Sequence, residues 1–73
     1  MIIEYTRHAR RRMKWREISE SEVKLAISTP DKVESTEKKR HNAYKTIKGK
    51  VLKVTYRKFD NQAQIISALW KGK

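Results

Sequence analysis

The sequence predicts an α+β domain in which two helices precede an antiparallel sheet, and three stretches predict it. Ser19-Glu20-Ser21-Glu22 is a capping box, with Ile18 before the cap and Val23 at the fourth helical position to close a hydrophobic staple. Val51 to Lys58 alternates, with Leu52, Val54 and Tyr56 on one face and Lys53, Thr55 and Arg57 on the other. Gln64 to Trp70, QIISALW, is apolar at both parities, the pattern of a central strand covered on both sides.

The remaining elements follow in order. Met1 to Tyr5 reads as an edge strand or an arm, and Thr6 as the N-cap of a first helix running to Lys14 or Arg16. The second helix buries Val23, Ala26 and Ile27 and stops near Ser28, ahead of Pro30. Lys32 to Thr36 forms a strand, Glu37 to His41 a charged loop, and Ala43 to Lys48 a strand ending at Gly49. Asp60-Asn61 turns the chain into the last strand. The order is β-α-α-β-β-β-β, a single domain over residues 1–73, with both helices on one face of the sheet.

The 73 residues carry a net charge of +11 and no cysteine. That excludes a disulfide framework, a cysteine zinc site and a thiol nucleophile, and it suits a cytoplasmic protein. No apolar run reaches the length of a membrane span, so no membrane association is expected, and the N-terminus offers no signal-peptide core. Residues 1–37 hold eight Lys/Arg against seven Asp/Glu, while residues 38–73 hold eleven against one, Asp60. The second half is a cation surface, which is attracted to polyanions.

The opening run RHARRRMKWR, residues 7–16, places six cations and one histidine in ten residues. With Tyr5 as the reference and about 100° per residue, Arg7, Arg10, Arg11 and Lys14 face solvent. On the same reference His8, Arg12 and Arg16, spaced i, i+4 and i+8, line the core side. A packing role suits these three as well: an Arg at a core margin lays its stem on apolar surface and pairs with an acid such as Glu34 or Glu37, and Arg16 near a helix end satisfies last-turn carbonyls.

A second cluster, Lys38-Lys39-Arg40-His41, falls on the expected loop, and Lys53 and Arg57 project from the open sheet face. Either a hairpin tip kept soluble by charge or a phosphate grip accounts for the cluster. Tyr44, Trp70 and Trp15 are the aromatics able to stack a base if they face outward, whereas Tyr56 alternates with the core set. The chain has no Gly-rich phosphate loop, no His/Asp/Glu cluster at metal-ligand spacing and too few acids for a two-metal nuclease, so no metal or cofactor is expected. RNA cleavage without metal needs a base for the ribose 2′-OH, an acid for the leaving 5′ oxygen and fixed positive charge. His8 or His41 is the candidate proton carrier, and Arg12 and Arg40 the candidate charges.

Thr6-Arg7-His8-Ala9, Arg12-Met13, Arg16-Glu17-Ile18 leading into the Ser-capped helix, and Thr29-Pro30-Asp31 together resemble the family labelled domain of unknown function 4258. The resemblance covers nearly the whole chain and is strongest in this opening motif; Glu17 stands where the family usually has Gly. That family is placed near the RelE/ParE and BrnT toxins, small proteins with two helices on a curved antiparallel sheet, many of them metal-independent ribonucleases restrained by an antitoxin. The resemblance therefore implies two N-terminal helices on a curved four-stranded antiparallel sheet. It carries over His8, Arg12, Met13 and Arg16 as motif positions, with Met13 in the core.

Two functions follow as expectations. One is a toxin-type endoribonuclease, with His8 transferring protons, Arg12 and Arg40 stabilising the transition state, and Lys38, Lys39, His41, Lys53 and Arg57 holding RNA. The other is a non-catalytic RNA- or ribosome-binding module on the same basic sheet face. The wider superfamily also holds members directed at gyrase, so a third reading is a toxin with a protein target, and activity does not follow from the fold. Any antitoxin should be acidic and cover Lys53 and Arg57.

Overall fold

The computed structural model describes residues 2–36 and 38–71. Along the chain lie β1 (Ile2–Tyr5), α1 (Arg7–Trp15), α2 (Glu20–Ser28), β2 (Lys32–Ser35), β3 (Arg40–Ile47), β4 (Lys50–Phe59) and β5 (Gln62–Lys71). Both helix starts carry the caps that the sequence signals. Thr6 Oγ1 accepts the Ala9 N–H at 3.0 Å, and Ser19 and Glu22 close a reciprocal capping box at 3.1 and 2.9 Å. Ile18 and Val23 are both buried, as a staple requires.

The sheet departs from the four antiparallel strands expected. It has five strands in the order β1-β5-β4-β3-β2, and it is mixed, because β1 runs parallel to β5 from Ile2 opposite Gln62 to Tyr5 opposite Ile65. Without β1, the ten-residue β5 would leave a long row of backbone groups unpaired at an open edge. β1 covers the first four residues of that edge, Gln62 to Ile65, and sends Ile3 and Tyr5 against the core.

The last strand also differs from its reading as a strand covered on both faces. Thr55 pairs with Ser67, but Tyr56 pairs with Ile65, so Ile66 is an extra residue in a β-bulge. The bulge resets the alternation: Ile65 and Ala68 both reach the core, while Ser67 and Leu69 share the other face. The helices cover one face only.

The core joins Ala9 and Met13 of α1, Val23, Ala26 and Ile27 of α2, and Ala43, Leu52, Val54, Tyr56, Ala63, Ile65 and Ala68 of the sheet. Lys48 and Gly49, at φ 51° and 82°, form the two-residue turn between β3 and β4, where two successive positive φ values match the twist of the strands. Between β2 and β3 the expected charged loop shrinks to a turn. Arg40 and His41 already belong to β3; Glu37, like Met1, lies outside the described residues.

Candidate nucleic-acid interface

Strand register decides which cations share a surface. Residues paired across a ladder lie on one side of the sheet, and alternate residues lie on opposite sides. Tyr56 is buried under the helices, so its neighbours Thr55 and Arg57 face away from them. From those two the open face is read across the strands. Arg40 lies opposite Arg57, which lies opposite Gln64; Asn42, Thr55 and Ser67 form the next row; Lys32, Tyr44, Lys53 and Leu69 the next; Thr46, Val51 and Lys71 the last.

This face is polar and cationic through its centre. Lys53 and Thr55 are half-buried between neighbouring strands, and Thr55 Oγ1 donates to Asn42 Oδ1 at 2.8 Å. The Tyr44 ring has Lys71 Nζ at 5.0 Å and Lys32 Nζ at 5.8 Å from its centroid. Lys32, Tyr44, Val51 and Lys71 line a concavity of about 350 Å³. Arg57 lies 5.7 Å over the Phe59 ring. Among the described residues no carboxylate lies within ion-pairing distance of Arg40, Lys53 or Arg57.

Two acids do reach the face: Glu4 on β1, beside Gln64, and Glu34 on β2, beside Asn42. The Tyr44 hydroxyl donates to Glu34 Oε1 at 2.8 Å, and Lys32 Nζ stands 3.4 Å from Glu34 Oε2. The bond from Tyr44, assisted by Lys32, holds the Glu34 carboxyl below its ordinary range, and the same bond pushes the Tyr44 hydroxyl up.

The residues expected to carry chemistry are divided between two surfaces. Arg40, Lys53 and Arg57 are on the open face. Lys38 and Lys39 are exposed on the turn before β3, both at positive φ. His41 is on the opposite face from Arg40: it stacks at 5.4 Å on Tyr56, and its Nδ1 lies 3.3 Å from Ser35 Oγ. His8 and Arg12 are exposed on α1, in the helical layer, so the fold does not bring them to Arg40.

The expected core-side triplet fails for a geometric reason. Tyr5 belongs to β1, not to the helix, and is no reference for helical angle. Measured from the midpoint of the buried pair Ala9 and Met13, His8 lies about 120° away, Arg12 about 80° and Arg16 about 40°. Only Arg16 turns inward, and its role is structural: Nη1 donates to Ala68 O at 2.9 Å, while its own carbonyl accepts from Trp70 Nε1 at 2.9 Å. Trp70 is thereby fixed on the helical side of the sheet. Arg10, expected in solvent, pairs with Glu20 at 2.9 Å and lies 5.0 Å over the Tyr5 ring.

Lys32, Lys71 and Asn42 join the open face without having been singled out in the sequence. The signal for them is the register itself, which extends the Lys53/Arg57 parity to neighbouring strands. Among the described residues no group of three His, Asp or Glu is placed to hold a metal ion, and no helix is long and apolar enough to cross a membrane.

Comparison with curated proteins and with solved structures returns no match for the chain. The model of the family described as Domain of unknown function (DUF4258) matches residues 5–70, and the chain belongs to that family.

Proposed function

We propose that this is an RNA-binding protein that holds single-stranded RNA on its open sheet face. The observation that carries the reading is the row in which Arg40 and Arg57 face each other with no acid between them. Like charges directly opposite on a ladder destabilise it, and an anion bound between them removes that cost. A phosphate fits the demand for charge, and guanidiniums bind it in fork geometry. Tyr44, Asn42, Thr55 and Ser67 add a stacking ring and short polar groups, suited to unpaired nucleotides. Free RNA and the ribosome are both targets of that chemistry in the cytoplasm.

The test is fluorescence anisotropy of a labelled single-stranded RNA titrated with protein. Lys53→Gln together with Arg57→Gln weakens binding on this reading, whereas the same affinity in wild type and variant rules out the open face.

Toxin-type, metal-independent RNA cleavage is the second reading, in keeping with the resemblance of the opening motif to the neighbourhood of the RelE/ParE and BrnT toxins. One contact favours it on this same face. The Tyr44 hydroxyl, bonded to Glu34 beside Lys32 and opposite Lys53, is a proton-bearing group next to fixed positive charge. Glu34 then takes the 2′-OH proton, Tyr44 supplies one to the leaving oxygen, and Arg40 and Arg57 hold the phosphate. His8 and Arg12 lie in the other layer and take no part in this arrangement. Incubation with end-labelled RNA in EDTA should give fragments ending in 2′,3′-cyclic phosphate that disappear in Tyr44→Phe; intact RNA with the wild type leaves binding alone. An acidic antitoxin covering Lys53 and Arg57 is the partner this face would take.

A further inference from the structure

We infer that the outer face of α1 is a second contact surface for single-stranded RNA, with Trp15 as a stacking platform and Arg7, Arg11 and Lys14 as phosphate contacts. The inference rests on RNA being the ligand of the open sheet face, and it assigns the opposite side of the molecule a share of the same polyanion. Helical geometry builds the surface from two rows that diverge from Arg7. Arg7, Arg11 and Trp15 are spaced i, i+4 and i+8, and Arg7, Arg10 and Lys14 are spaced i, i+3 and i+7. The same five residues line a groove of about 470 Å³. It points away from the sheet, because Ala9 and Met13 take the inward side.

Three observations set this surface apart from an ordinary solvated helix face. First, Arg7 and Arg11 work against the helix. Its first turn holds no acid and begins with Arg7, at the end where the macrodipole favours negative charge, and Arg7/Arg11 and Arg11/Lys14 are like-charge neighbours. Secondly, only one cation of the groove is neutralised: Arg10 is held by Glu20 and Tyr5, and among the described residues Arg7, Arg11 and Lys14 have no ion-pair partner. Thirdly, Trp15 is 78% exposed and makes no hydrogen bond or cation–π contact among the described residues, so the largest side chain of the helix contributes almost nothing to the fold.

Unpaired bases answer all three. A base stacks on an indole with little regard to sequence, and the flanking phosphates meet the cations. An anionic membrane surface is a poorer match, since interfacial binding needs a broad apolar face and here Trp15 is the lone apolar residue among five.

The experiment reads Trp emission and salt dependence on titration with oligouridylate. Wild type is compared with Trp15→Phe, with Trp15→Ala and with a triple variant, Arg7→Gln, Arg11→Gln and Lys14→Gln. All the changed side chains are exposed, and the triple variant should melt no lower than wild type because it relieves repulsion. RNA should quench wild-type emission, and the quench should vanish in Trp15→Phe, where Trp70 is the remaining Trp. Trp15→Ala should weaken binding about tenfold. The triple variant should flatten the plot of log K against log salt by about two units, at about 0.7 per phosphate lost. RNA that binds with no Trp15 quench and an unchanged slope in the triple variant overturns the inference and leaves the open sheet face as the binding surface. Absence of any RNA binding overturns both readings, and a Trp15 emission shift produced by phosphatidylserine vesicles or an acidic peptide but not by RNA also overturns this one.

Discussion

Arg40 and Arg57 face each other across the β3–β4 ladder on the uncovered side of the sheet, with Gln64 and Glu4 completing their row. Two guanidiniums in that register repel, and the nearest acid along the row, Glu4, is two strands away. Replacing either Arg by Gln should therefore raise stability slightly, by about 0.5 kcal/mol at low ionic strength, and the gain should fade with added salt. Chemical denaturation of wild type and Arg57→Gln at two salt concentrations checks this. A stability loss of similar size would mean that the pair is held by something other than an external anion.

Two hydrogen bonds fasten the end of α1 to β5: the Arg16 guanidinium donates to Ala68 O, and the Trp70 indole N–H donates to the Arg16 carbonyl. Arg16→Ala should cost about 1.5 kcal/mol and Trp70→Phe about 1 kcal/mol. Because they share one joint, the double variant should lose less than the sum. Urea denaturation of the four proteins reads the coupling, and strict additivity would dissolve the clamp.

Glu17 sits at φ 54° in the step between the helices. A side chain there costs about 1 kcal/mol relative to a residue without Cβ, so Glu17→Gly should stabilise by roughly that amount. Thermal unfolding checks the sign. A destabilised variant would show that the carboxylate contributes a contact worth more than the strain.

That same position shows how unevenly the sequence reveals the structure. The resemblance of the opening motif implies Gly at position 17, and the left-handed backbone there is one that Gly adopts without strain. The Ser19 cap, the Ile18/Val23 staple and the alternation of β4 were legible because each is written within a few neighbouring residues. The parallel pairing of β1 with β5 was not, because its partners lie about sixty positions apart and four residues of mixed polarity carry no mark of direction. The bulge at Ile66 disguised one-sided burial as burial on both sides. At the candidate site Lys53 and Arg57 were readable from parity. Arg40 was also marked as a cation of interest, but its grouping with His8 and Arg12 assumed a proximity that only the layers of the fold could decide. Lys32, Lys71 and Asn42 became visible once the strands were in register.

Asp31 ties the start of β2 to β3. Its Oδ2 accepts the Thr46 N–H at 2.8 Å, its own N–H donates to Tyr44 O at 2.7 Å, and Lys45 Nζ is 3.7 Å from Oδ1. The Thr46 bond, with Lys45 helping, lowers its pKa from the ordinary 3.8. A carboxylate whose folded pKa is depressed adds stability above its unfolded value and loses it as pH falls through the folded one. Wild type should therefore be more stable than Asp31→Ala at neutral pH, with the gap shrinking as pH falls below 3.8. A gap that stays constant to pH 2 on the logarithm of the unfolding constant would assign the effect to packing, not to charge (about two units below the ordinary value).

The salt dependence of RNA binding decides whether the open sheet face holds RNA. Association constants for a single-stranded RNA are measured over a series of salt concentrations for wild type and for the Arg40→Gln, Arg57→Gln double variant. Binding on the open face predicts a negative slope of log K against log salt that becomes shallower by about 1.4 in the variant, at about 0.7 for each phosphate contact removed. Binding with the same slope in both proteins, or no binding by the wild type, would contradict it.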